Sequence, residues 1–200
     1  MTVIDWPLDI NGRIEGSPFL SMTSVTAGPG LDGDEQIVGR ENGVWEVKIT
    51  TGKLIRETIP VWRAFIHSLR GRQNPFRFKV WNSFALPISG PIPDGGICIV
   101  AADAPAGSTI INLSGYSGEN INPGGYFSIN DFLYEVQSNA SGVVSFLPPL
   151  RMSVAVGDEV KISGPTILLR LSNDSDGRAY PTGMRYAAPV TFTAKEVFQR

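Results

Sequence analysis

The stretch Ile55–Trp81, IRETIPVWRAFIHSLRGRQNPFRFKVW, decides the fold. Trp62, Phe65, Ile66 and Leu69 stand at i, i+3, i+4 and i+7, the spacing of one apolar stripe on a helix. Thr58 is placed to cap the start, Pro60 is tolerated in the first turn, and Gly71 is suited to the left-handed residue that ends it. The pattern predicts one helix over about 58–70. Phe76, Phe78 and Val80 then alternate with Arg77, Lys79 and Trp81, a half-buried strand whose outer face is basic and aromatic.

Working outward, Trp45, Val47 and Ile49 alternate with Glu46 and Lys48, a second half-buried strand. Residues 1–35 are weakly patterned. Ala27–Asp34 reads as a flexible loop, and the whole N-terminal stretch as a candidate arm that orders on assembly. Asp32, Asp34 and Glu35 lack the later bidentate glutamate of a calcium loop.

Downstream, Pro87–Gly96 is rich in proline and glycine and reads as a linker. Short strands follow at Ile97–Ala101, Thr109–Leu113, Tyr126–Ile129, Phe132–Gln137, Val143–Leu147 and Glu159–Ser163. Asn130-Asp131 sits between two of them as the two-residue loop of a tight hairpin. Thr166–Leu171 and Pro189–Phe198 return to longer strands. Between Ser89 and Pro165 the acids Asp94, Asp103, Glu119, Asp131, Glu135, Asp158 and Glu159 face only Arg151 and Lys161. The expected architecture is mainly β: a sandwich or barrel domain from 1–88 and 165–200 with one packed helix. An acidic small β-barrel or sandwich, 89–164, is inserted in it.

The totals exclude several functions. The 200 residues carry 17 basic and 19 acidic side chains, net −2, so no overall positive field calls for nucleic acid. One cysteine, Cys98, and one histidine, His67, cannot make a Cys/His zinc site. No apolar run reaches the roughly 20 residues of a membrane helix, and the start lacks a signal peptide's basic and apolar regions. His67 lies off the helix stripe between two arginines and is a poor base. No phosphate loop, dinucleotide fingerprint or metal ladder occurs, so neither catalytic residues nor a cofactor is expected. The basic residues Arg63, Arg70, Arg72, Arg77 and Lys79 read as a solvated face or a subunit contact to an acidic neighbour, with a nucleic-acid contact as the alternative. Tyr116, Tyr126 and Tyr134 read either as hairpin packing or as an aromatic platform for a host surface glycan.

Several short motifs recur together: WRAFIHSLRGRQNPFRF at 62–78, Ala106-Gly107-Ser108, Pro123–Ile129, Leu133–Val136 and Pro148-Pro149-Leu150-Arg151. In this order they resemble the minor tail proteins of long-tailed bacteriophages, most closely the distal tail protein type, over about residues 40–198. The resemblance implies a virion structural protein, made in the host cytoplasm and placed in the virion tail. It further implies a tail-tube-like β domain that assembles as a hexameric ring between the tail tube protein and the tail hub or tip, with an extra β domain projecting outward. It carries no catalytic residues over to this chain.

Overall fold

The structure, a computed structural model, describes residues 2–15, 18–29, 32–80, 98–115, 121–162, 164–178 and 186–198. Trp81, the 87–96 linker and Tyr116 lie outside them. Among the described residues the chain runs β1 (Ile4–Asp5), β2 (Gly12–Ile14), β3 (Phe19–Pro29), β4 (Glu35–Thr51), β5 (Leu54–Ile55), α1 (Thr58–Leu69) and β6 (Phe76–Lys79). It continues through β7 (Cys98–Val100), β8 (Ile110–Ser114), β9 (Tyr126–Ile129), β10 (Phe132–Ala140), β11 (Val143–Leu147) and β12 (Glu159–Lys161). It closes with β13 (Thr166–Leu171), β14 (Tyr186–Ala187) and β15 (Thr191–Glu196). The protein is mainly β with one packed helix.

Two main bodies of sheet result, beside a small two-stranded sheet of β14 and β5. One has the strand order β1-β6-β13-β15-β4-β2, with β3 also on β4. The closing segment thus lies inside this sheet, with β15 between β13 and β4. The other is a closed barrel, β10-β11-β8-β7-β12-β9. Closure removes free strand edges, which an isolated set of short strands would otherwise expose.

The helix forms where its stripe predicts. Trp62, Phe65 and Leu69 are buried and Ile66 packs at the margin of the same core. Its start differs from expectation, while Gly71 is left-handed after the cap as expected. Thr58 is the first helical residue; its hydroxyl accepts from the Ile55 N–H (2.9 Å) and so closes the preceding turn, while Glu57 occupies the cap without a side-chain hydrogen bond. At the other end Arg70 itself turns left-handed (φ 50°), followed by Gly71 (φ 64°). Asn74 then takes up two terminal carbonyls, its N–H reaching Leu69 O (3.0 Å) and its Nδ2 reaching Ser68 O (2.9 Å). These contacts satisfy acceptors that a helix end leaves without partners.

Trp6 packs half-buried against the core that the helix covers and gathers its aromatic rings. Its ring meets Phe78 at 4.9 Å, Phe65 at 5.4 Å and Trp62 at 5.5 Å, and its Nε1 donates to Ile10 O (2.6 Å). The barrel has its own aromatic centre: Tyr134 and Phe146 at 5.1 Å, each 5.4 Å from Phe127. Cys98 is buried in this second core, which pushes its thiol pKa up to about 12. It is a small apolar filler there.

The largest departure from expectation is near the N-terminus. Phe19–Pro29 is a long strand rather than a weakly ordered stretch, and it pairs with β4 from Phe19↔Glu46 to Pro29↔Glu35. β15 and β2 accompany β4 only between Glu46 and Thr51. From Val44 out to Glu35, β4 therefore has only β3 as a strand partner among the described residues. The two strands form an arm extending roughly 30 Å at the usual strand rise. Half-buried alternation arises only where a core lies on one side, and the arm has none. That is why its sequence looks unpatterned.

Candidate functional site

The hairpin of β9 and β10 does more than close the barrel. Asn130 (φ 51°) and Asp131 (φ 62°) form the two-residue turn expected from the sequence, both left-handed as that turn requires. The turn is seated on the main sheet. Arg77 donates to Asp131 Oδ2 from Nε (3.1 Å) and Nη2 (3.0 Å), and its Nη1 reaches Asp5 Oδ1 (2.6 Å). The Thr166 hydroxyl donates to Asp131 Oδ1 (2.7 Å), and the Leu168 N–H to the Asp131 carbonyl (3.2 Å). Burial alone would raise the Asp131 pKa. The hydrogen bonds from Arg77 and Thr166 outweigh it and hold the carboxyl below its ordinary value.

Beside the turn, Leu133 leaves the barrel interior and joins the main core. Its carbonyl accepts from Trp45 Nε1 (2.7 Å), and Tyr126 meets the Trp45 ring edge-on at 5.8 Å. A second clasp closes nearby. Arg151 Nη2 lies 3.0 Å from Glu196 Oε2 and also donates to the Gly43 carbonyl. Glu196 is 6% exposed; burial raises its pKa against the pull of Arg151 and the Trp45 N–H. Its Oε1 and the Arg151 Nε have no hydrogen-bond partner.

This geometry separates the basic residues read as one contact. Phe76 and Phe78 of β6 enter the core, so Arg77 and Lys79 project from the opposite side of that strand. Arg77 is committed to Asp131 and Asp5 within the chain. Arg72 pairs with Asp174 (3.6 Å). Arg63 and Arg70 remain exposed on the helix and its cap, and neither takes part in an ion pair among the described residues. The tyrosines are placed differently from a platform. Tyr134 is 1% exposed and its ring belongs to the barrel core, while Tyr126 packs on Trp45.

Among the described residues, no three His, Cys, Asp or Glu side chains gather where they could hold a metal ion. No helix is long and apolar enough to cross a membrane. A groove of about 750 Å³ runs between the N-terminal segment and β6, lined by Trp6, Leu8, Ile10 and Phe78 with Arg77 and Lys79 at its polar side. Several exposed apolar side chains lie elsewhere, on the arm: Ile37 (63%), Val38 (59%), Val25 (50%) and Met22 (48%). Val25 and Val38 are directly paired and so share a face, while Ile37 lies on the other. No protein-family model and no curated protein sequence matches the chain.

Sequence reasoning missed the seat. Asp131 was legible as a turn residue and Arg77 as a surface cation, but nothing local says that they meet. Arg151, Glu196 and Trp6 carried still less signal. The one available hint is that Asp131 needs only its backbone to make the turn, which leaves its carboxylate for another use.

Proposed function

We propose that the protein is a structural component of a bacteriophage tail, of the distal tail protein kind. In this reading it assembles as a homo-oligomeric ring between tail tube and tail tip, and the barrel is a peripheral attachment. The observation that carries the reading is the β3–β4 arm. A lone two-stranded ribbon is marginal in water, and this one exposes apolar side chains on both faces beyond the sheet that anchors it. Such an arm is stabilised when another subunit covers it. The order of short motifs along residues 62–151 supports the tail assignment specifically.

The adhesion alternative draws less support. Glycan stacking needs an aromatic face in solvent, whereas Tyr134 is buried and Tyr126 is covered by Trp45. The test is the mass of the purified full chain by light scattering, with negative-stain microscopy of the same sample. A ring several times the 21.6 kDa chain mass is expected. A species that stays at the monomer mass at all concentrations would remove the ring assignment.

A further inference from the structure

A closed ring needs a heterologous contact, in which two different patches of each subunit meet. The molecule carries two unmatched patches of opposite charge. Several of its charges are answered within the chain: Lys48 by Glu15, Arg72 by Asp174, Arg77 by Asp5 and Asp131, Arg151 by Glu196, and Lys195 by Glu46. At the end of the arm, Asp32, Asp34 and Glu35 are all exposed and take part in no ion pair among the described residues. Glu35 accepts only from the Thr26 hydroxyl of the facing strand. Along α1, Arg56 precedes the helix, Arg63 lies mid-helix and Arg70 caps its end. The three are exposed, stand seven residues apart and take part in no ion pair among the described residues; Arg63 alone lies within the helix. Glu57 is the one acid in the run from Arg56 to Arg72.

We infer that the β3–β4 arm of one copy lies along the Arg56–Arg63–Arg70 run of a second copy. The Asp32, Asp34 and Glu35 carboxylates face the guanidinium groups, and the Val25–Val38 side of the arm is covered in the contact. The occupant is a second copy because both halves of the contact, opposite in charge, belong to this one chain. Exposed charge pairs of this kind steer and register the contact, while the burial of Val25 and Val38, which share a face, holds it. The inference rests on the ring reading and specifies which surfaces make the ring.

The experiment uses the full chain at low salt and reads mass by light scattering. One variant carries Asp32→Lys, Asp34→Lys and Glu35→Lys; another carries Arg56→Glu, Arg63→Glu and Arg70→Glu; a third carries all six changes. Each reversal alone is expected to reduce the assembly to the 21.6 kDa monomer. The six-fold variant is expected to recover the wild-type mass. Wild-type assembly of either three-fold variant overturns the pairing, as does a folded six-fold variant that stays monomeric. Loss with the arm variant alone would place the arm on some other surface and equally overturn it. A reversed variant that fails to fold by circular dichroism is replaced by Asp→Asn, Glu→Gln or Arg→Gln changes at the same positions, which must weaken assembly in the same way. A wild-type chain that is itself monomeric instead sinks the ring reading, so the two failures are distinguishable.

Discussion

Asp131 joins a local requirement to a long-range one. Its left-handed backbone completes the β9–β10 turn, and its carboxylate collects Arg77 and Thr166 from the main sheet. Asp131→Gly keeps the backbone freedom and deletes the carboxylate, so it isolates the second role. We expect it to cost about 1–3 kcal/mol in urea unfolding, with the barrel still folded. No change in the urea midpoint would mean that the seat contributes nothing. The pH dependence has a definite sign. The folded Asp131 pKa is lowered, so its contribution is present above about 4 and is lost as pH falls through the folded value. Glu196 has the opposite sign. Its folded pKa is raised, so its contribution is present below about 4.3 and is lost as pH rises through the folded value. Thermal melts across that window should fall with rising pH more steeply for wild type than for Glu196→Gln; parallel curves would contradict the assignment. Neither residue's role was legible in sequence, because each depends on a partner far along the chain: Arg77 for Asp131 and Arg151 for Glu196.

At the scale of elements, α1 was legible and the arm was not, for one physical reason. The helix buries Trp62, Phe65 and Leu69 against a core, and that core writes a period into the sequence. Phe65→Ala should cost about 3–5 kcal/mol, since Phe65 packs between Trp6 at 5.4 Å and Phe76 at 5.7 Å. An unaltered melting temperature would remove the helix from the core. Gly12 in β2 tests the same core from the far side. A Cβ there would collide with the Trp6 ring, so Gly12→Ala should destabilise even though the residue lies in a strand. A neutral result would show that Trp6 moves freely aside. The arm has no core to impose a period. Its strands FLSMTSVTAGP and EQIVGRENGV look irregular from sequence for that reason, and the polar acidic end was read as a loop.

For the whole molecule, the sequence showed the division of charge and the turn-rich middle, and so the presence of a second β body. It did not show how firmly that body is held. Leu133 contributes to the main core, Trp45 donates to its carbonyl, and the Arg77–Asp131 and Arg151–Glu196 clasps flank the contact. Replacing residues 81–164 by a short Gly/Ser linker should therefore lower the melting temperature of the remaining sheet, not merely shorten the chain. An unchanged melting temperature would make the barrel a passenger. The replacement is geometrically simple because β6 and β13 are direct neighbours, with Lys79 opposite Thr166 and the Val80 N–H bonded to Pro165 O (2.8 Å). The barrel thus occupies the place of an ordinary hairpin loop. Lengthening such a loop costs only a slowly growing closure entropy. The sheet can consequently carry grafts of very different size at this one junction without redrawing its strand order, which makes the junction a natural port for exchanging whole modules.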